Sequence, residues 1–335
     1  MDLTQLAGLL GVTDLGERLA LVETRLMETL GGGGPSLTAA ARRMTAAGGK
    51  RLRPAFVVAS AQCAGAFDER VMGAAVAVEL VQVGSLVHDD IFEDASTRRG
   101  VPTINSVEGP RHALMAGDFL LARAGVEAAV AGQEVAADVA ATVAALCEGQ
   151  MEEMRHVHDV DRPVESYLRS IGAKTAALFA CAMRCGARCG ELPPSAVERL
   201  GDFGYAFGMA FQVLDDVLDL VADPDRLGKP VGIDIATGVY TLPVLRELAS
   251  PAGGDLRALL RRRADADVSL ALRLMRASRH LDTALTEARR YAAEAAAAVA
   301  DASDVDARHL ASFPGDYLDW ALDHFTRPSS GSNAG

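Results

Sequence analysis

Residues 86–100 read LVHDDIFEDASTRRG and hold four acids, Asp89, Asp90, Glu93 and Asp94, at the end of an apolar run. On a helix, residues four apart share a face, so Asp89 meets Glu93 and Asp90 meets Asp94. Each like-charge pair destabilises an isolated helix by about 0.2–0.5 kcal/mol, so the pattern points to a cation outside the helix. The segment FQVLDDVLDL at 211–220 repeats it, with Asp215 and Asp219 four apart and Asp216 between them. The two clusters lie 126 residues apart and can therefore face one another from different helices, a common way to build a metal site in a bundle. Only oxygen donors are offered, which selects Mg²⁺ or a similar hard cation over zinc or iron. Mg²⁺ is usually held by one or two carboxylates, waters and substrate phosphates, so the clusters imply a phosphorylated substrate between them.

Such a substrate needs cations, and they stand close by. Arg98 and Arg99 follow the first cluster, and LGKPVG puts Lys229 shortly after the second. GGKRLRP supplies Lys50, Arg51 and Arg53 before a helix start that favours anions. IGAKTA supplies Lys174 and Thr175; it lacks the leading glycine of a phosphate-binding loop, and that reading is rejected. Of 33 basic residues only three are lysines, and all three stand in these anion-friendly motifs. A compact ammonium with rotatable donors suits phosphate oxygens.

The elements that must position these groups are helical. In AAVAVELVQVGSLVHDD apolar side chains recur every three or four residues, and similar patterns fill 111–158, 164–189, 195–222 and 282–300. Prolines fall at the seams, at 54, 110, 163, 193–194, 230 and 251. No alternating strand pattern bounded by hairpin turns is present. The expected fold is an all-α, single-domain bundle of long helices over residues 1–326, with SSGSNAG closing a disordered tail at 327–335.

Net charge −12 argues against nucleic acid, whose phosphates need clustered Lys and Arg. No uncharged apolar stretch of about 18 residues occurs, so no transmembrane helix is expected, and the N-terminal residues do not resemble a signal peptide. The expected location is the cytoplasm. Cys181, Cys185 and Cys189 lack a CxxC pair or nearby His and are expected as small buried side chains. His156 and His158 are expected at a solvated helix end, while His88 could either orient an aspartate or pack in the core.

With GGKRLRP, LVHDDIFEDASTRRG, AGDFLLARA, IGAKTAALFA, FQVLDDVLDL, LGKPVGIDI and TLPVL in order over about residues 48–245, the chain resembles the trans-isoprenyl diphosphate synthases, the polyprenyl synthetase family. The resemblance implies an all-α bundle around a deep central cavity, usually a homodimer. It also implies head-to-tail (1′-4) condensation of isopentenyl diphosphate onto an allylic diphosphate. By that resemblance Asp89, Asp90, Asp215 and Asp219 would ligate Mg²⁺ on the allylic diphosphate, with Asp216 supporting the shell. Arg98, Lys174 and Lys229 would hold the same diphosphate, with Gln212 and Thr175 nearby. Lys50, Arg53 and Arg99 would bind isopentenyl diphosphate. Three positions depart from the family pattern. Glu93 replaces a third Asp and can still reach a metal or its water. Gln82 stands where His is frequent and can still donate to a phosphate oxygen. Val239 removes a cation before TLP.

In this family, product length depends on what blocks the cavity below the first Asp motif. Ser85, Val81 and Ala77 lie four, eight and twelve residues before Asp89, stacked about 6 Å apart per step, and Gly84 lies beside Ser85. None is aromatic, so an open channel and a heptaprenyl to decaprenyl product are expected. The alternative is that another helix closes the channel and the product is geranylgeranyl or farnesyl diphosphate. A class I terpene cyclase would usually replace the second Asp motif, and a regulatory subunit would tend to erode both motifs. Both stand whole here.

Overall fold

The computed structural model describes residues 1–228, 230–263, 266–300 and 304–327. Lys229 and residues 328–335 of the expected tail lie outside the described residues. The helices that build and position the site are α1 (Leu15–Thr29), α2 (Leu52–Gln62), α3 (Glu69–Phe92), α4 (Pro110–Ala131), α5 (Gln133–Met154), α6 (Val164–Ile171), α7 (Ala177–Cys189), α8 (Pro194–Val221), α9 (Ile233–Thr237), α10 (His280–Ala300) and α11 (Phe313–Thr326). The starts follow local chemistry. Asp68 caps α3 by accepting from the backbone N–H groups of Arg70 (2.9 Å) and Val71 (3.0 Å). Pro110 and Pro194 open α4 and α8, where a missing N–H costs nothing.

Helix α3 is apolar nearly all round and lies in the core. By length and composition it could cross a membrane, with Glu79 interrupting its apolar run. However, 72% of its most apolar stretch is buried inside the fold, as befits a central helix of a bundle. One small departure from the helical expectation is a hairpin: Thr97–Arg98 (β1) and Val101–Pro102 (β2) pair antiparallel. The two-residue turn between them puts both Arg99 (φ 53°) and Gly100 (φ 78°) in the left-handed region that such hairpins require.

Two packing features set the site. Phe56 of α2, Phe179 of α7, Phe207 of α8 and Phe313 of α11 form one aromatic cluster, with Phe56–Phe207 centroids 5.0 Å apart and Phe207–Phe313 5.1 Å apart. Phe211 and Tyr317 extend it toward the acid-bearing end of α8. Second, α7 is preceded by a π-helical turn at Gly172–Ala176, a device frequent at functional sites. It is gripped from both sides by glycines: a Cβ on Gly149 of α5 would fall 2.8 Å from the Lys174 nitrogen, and one on Gly208 of α8 would fall 2.5 Å from the Ala176 Cα. Backbone meets backbone here, and neither side has a flexible group that can yield. Gly208→Ala should therefore destabilise the fold by about 1–3 kcal/mol, read as a lower urea midpoint. An unchanged midpoint would contradict this packing.

Candidate active site

Both acid clusters stand at helix C-termini. Asp89 and Asp90 lie in the last turn of α3 with Glu93 as its C-cap, and Asp215, Asp216 and Asp219 lie in the last two turns of α8. The final carbonyls and the helix dipole add negative charge at both places, which sharpens the demand for cations.

In the first cluster the hairpin returns Arg98 onto the acids. Its Nε donates to Asp90 Oδ1 at 2.8 Å and its Nη2 to Glu93 Oε2 at 2.9 Å. Asp90 is buried, and its second oxygen has no partner. Asp89 faces the opposite way, toward the π turn, where Lys174 Nζ lies 3.8 Å from its carboxylate and 2.8 Å from Glu153 Oε1. Burial pushes the Asp89 carboxyl up to about 6, although Lys174 pulls it back. Thus the two adjacent aspartates do different work: Asp90 is committed to Arg98, while Asp89 shares the site side with Lys174. Glu153, on α5, is a site residue that sequence reasoning missed. It lies in an Ala- and Glu-rich helix with no distinguishing motif.

In the second cluster Asp216 is fully enclosed. The Tyr167 hydroxyl of α6 donates to one oxygen, and Gln212 Nε2 donates to the other at 2.9 Å. Gln212 Oε1 in turn accepts from Thr175 Oγ1 at 2.8 Å. Gln212, expected beside the diphosphate, orients Asp216 here, and Thr175 in turn holds Gln212. Burial pushes Asp216 up to about 7, against the pull of the Tyr167 and Gln212 hydrogen bonds. Asp219 accepts from the backbone N–H groups of Ile233 and Asp234, both at 3.3 Å, so it anchors the start of α9. Among the described residues Asp215 has no hydrogen-bond or ion-pair partner. Tyr167 was not foreseen; its burial follows only from tertiary packing.

A third group of cations gathers at GGKRLRP. Arg51 takes a left-handed conformation (φ 48°) and turns its guanidinium inward. There it donates to Glu23 Oε2 and Oε1, each at 3.0 Å, to Glu79 of α3, and to the Thr45 carbonyl at 2.8 Å. Lys50 and Arg53 on either side are thereby fixed. Arg53 is stacked 4.4 Å from the Phe179 ring, and burial pushes its pKa down to about 10. Arg99 donates to the Gly48 carbonyl, so the hairpin and this loop are tied together. Gln82 is half-buried on α3.

The chain-length positions divide. Ser85 is half-buried, and its hydroxyl donates to the Gln82 carbonyl at 3.0 Å. Val81 and Ala77 are fully buried. Gly84 faces α4, where a Cβ would fall 3.2 Å from Leu121 and 3.3 Å from the Gly117 carbonyl. It is a helix-contact glycine and cannot line a cavity on the Asp89 side. His88 also turns to α4, 3.2 Å from the Leu114 carbonyl, and orients no aspartate of the cluster. His156 pairs with Asp159 at 2.7 Å, and the His158 backbone N–H donates to the Gly238 carbonyl.

Among the described residues no three His, Cys, Asp or Glu side chains converge on one point. A cation here would need oxygens from outside the protein. The donor set nevertheless fits Mg²⁺: carboxylate oxygens only, an unpartnered Asp215, and a second cluster within the same bundle.

The raised carboxyls have a consequence for stability. The folded state holds the Asp216 proton more tightly than the unfolded chain, so its contribution is full below about pH 4 and is lost as pH rises through about 7. Chelator-treated protein should lose urea resistance between pH 5.5 and 8 by more than Asp216→Asn does. Equal slopes for the two proteins would contradict the burial-raised proton.

Comparison with known proteins agrees with this geometry. The polyprenyl synthetase family model matches residues 35–275. Heptaprenyl diphosphate synthase component 2 of Geobacillus stearothermophilus is 41% identical over 237 residues, covering 70% of this chain and 74% of that protein. Nonaprenyl diphosphate synthase of Mycobacterium tuberculosis is 39% identical over 276 residues, covering 81% and 82%. The crystal structure of a polyprenyl synthase from Caulobacter crescentus, complexed with calcium and isoprenyl diphosphate, superposes with a TM-score of 0.84 at 31% identity over 97% of each chain. A bundle whose two longest core helices each end in an aspartate cluster, matched along most of its length by these proteins, belongs to the polyprenyl synthetase family.

Proposed function

We propose that this chain is a Mg²⁺-dependent prenyltransferase that condenses isopentenyl diphosphate head-to-tail (1′-4) onto an allylic diphosphate and releases a medium- or long-chain all-trans polyprenyl diphosphate. The observation that carries the reading is the separation of cations into two sets. Arg98 and Lys174 pair with the acids of the first cluster, whereas Lys50, Arg53 and Arg99 form no ion pair with a site carboxylate among the described residues and gather around the GGKRLRP loop, Lys50 within electrostatic reach of Asp215. One set holds the allylic diphosphate and the other the isopentenyl diphosphate. Lys229 joins the first set on the family pattern.

The allylic C–O bond breaks with both electrons leaving on the diphosphate. Bound Mg²⁺, held by Asp89, Asp215 and Asp219 with Glu93 in reach, would neutralise the charge that develops on that leaving group. Lys174 and Arg98 do the same from the protein side, with Glu153 fixing the Lys174 ammonium and Asp90 fixing the Arg98 guanidinium. The double bond of isopentenyl diphosphate then attacks the allylic cation, forming the new C–C bond. The proton lost from the resulting cation passes to the departed diphosphate, so no protein base is needed. Gln82, half-buried on the same helix, remains a donor for a phosphate oxygen.

Product length follows from the face of α3 below Asp89. A step of four residues overshoots a full turn by about 40°, so Ser85 stays near the Asp89 line while Val81 and Ala77 swing progressively toward α4. Ser85 is thus the position at which bulk would block a growing chain. The heptaprenyl and nonaprenyl names of the two relatives support the long product.

A second copy of the chain is proposed to cover the exposed faces of α4 and α5, where Leu114, Met115, Val126, Val130 and Met151 stand in solvent. Several large apolar side chains exposed on one helix pair are the kind of surface a partner covers. The compartment proposed is the cytoplasm, with the apolar product, not the chain, making contact with membrane.

The test is elongation of allylic primers by labelled isopentenyl diphosphate with Mg²⁺ or with EDTA, followed by sizing of the dephosphorylated products. Mg²⁺-dependent products of about 35 to 50 carbons are expected, and Ser85→Phe should shorten them. No elongation by the folded chain alone, with activity appearing only on adding a second protein, would make it a subunit instead. An unchanged product length in Ser85→Phe would overturn the channel assignment.

A further inference from the structure

The one tryptophan of the chain stands over one of its three lysines. Lys50 Nζ lies 4.7 Å from the Trp320 ring centroid and 5.1 Å from that of Phe325, both at the C-terminal end of α11. Lys50 makes no ion pair among the described residues, although Asp215 is near enough to act on it electrostatically. The rings are themselves held. Trp320 stacks on His324 (5.1 Å, 13°) and meets Phe325 edge-on at 5.8 Å. The Phe325 carbonyl accepts from the Asp223 N–H at 2.8 Å, and the His324 carbonyl accepts from Arg226 Nη1 at 3.3 Å. Asp223 follows directly on α8, so the end of α11 is tied to the helix that carries the second acid cluster.

We propose that Trp320 and Phe325 are positioning residues: their ring faces seat the Lys50 ammonium and hold it in place until a diphosphate takes it. The inference rests on the reading of Lys50 as a ligand of isopentenyl diphosphate. A long, flexible ammonium would otherwise lose its side-chain freedom only when substrate arrives, and that cost would fall on binding. A cation over aromatic faces is held more weakly than one in a charge-assisted pair with phosphate, so the seat orders Lys50 without competing with substrate. Burial also lowers the Lys50 pKa, and the electron-rich ring faces favour its charged form. Phe and Trp serve this end where Glu or Asp would not, because a carboxylate would lock the ammonium and repel the incoming diphosphate.

The geometry supplies its own reporter. Inorganic pyrophosphate and isopentenyl diphosphate, titrated separately into the full chain with Mg²⁺ and no allylic substrate, should change Trp320 fluorescence saturably as Lys50 leaves the ring. The change should vanish in Lys50→Ala. In steady-state assays Trp320→Leu should raise KM for isopentenyl diphosphate roughly fivefold, the size of one cation–π contact. KM for the allylic substrate should move less than about twofold, and Trp320→Phe should recover most of the loss. A fluorescence response that survives in Lys50→Ala, or a Trp320→Leu variant that shifts both KM values equally or neither, would overturn the aromatic seat. If instead Lys50→Ala leaves KM for isopentenyl diphosphate at the wild-type value, the substrate assignment of Lys50 itself falls, and the inference falls with it.

Discussion

Everything in this site depends on carboxylates placed where a protein should least tolerate them. Asp89 and the Asp215–Asp219 group stand at the negative ends of two core helices, where helix dipole and carboxylate charge add. Arg98 holds Asp90 Oδ1 and Glu93, and Tyr167 with Gln212 satisfies Asp216. Those partners take up the supporting acids, leaving Asp89 with Lys174 and Asp215 with no hydrogen-bond or ion-pair partner among the described residues. The raised pKa values of Asp89 and Asp216 express the same imbalance: without an external cation, burial drives both toward the proton. On the proposed function, a diphosphate carrying hard cations would relieve it, and substrate binding and charge neutralisation would become one event.

The bundle supplies rigidity by close backbone contact. The π turn that carries Lys174 and Thr175 is pinched between Gly149 and Gly208, so the Lys174 ammonium has a fixed origin 2.8 Å from Glu153. The Arg51 guanidinium does comparable work for the other subsite. Three acceptors, Glu23, Glu79 and the Thr45 carbonyl, hold a left-handed loop residue in place. A buried ion pair of this kind is a poor source of net stability but loses several kcal/mol, about 3–5, if one partner is removed. Its use here is to fix where Lys50 and Arg53 emerge.

Much of this was legible in the sequence, and the parts that were not have physical causes. Helical periodicity, proline seams and the two acid clusters are local signals, and the helices and motifs stand where those signals put them. The division of labour between adjacent residues is not local. Asp89 and Asp90 are identical in type, and only the return of the hairpin decides that Arg98 takes Asp90. Gln212 and Thr175 carry phosphate-type chemistry on paper, yet tertiary packing turns them to Asp216. Gly84 reads as a gap under a channel until α4 is seen lying against it. Glu153, Tyr167 and Trp320 stand in no motif at all, since each acquires its role from a partner more than twenty residues away. The hairpin at 97–102 was missed because two-residue strands leave too short a pattern to read.

The central claim is that Asp89 and Asp215, on different helices, act together only through a bridging metal diphosphate. Its most direct test is calorimetric titration of inorganic pyrophosphate with Mg²⁺ into the wild type, Asp89→Asn, Asp215→Asn and the double variant. The account predicts a coupling of roughly 1–3 kcal/mol between the two sites when Mg²⁺ is present and none when it is replaced by EDTA. Strictly additive effects with Mg²⁺ present would mean that the two clusters bind independently, and the bridged site would be wrong.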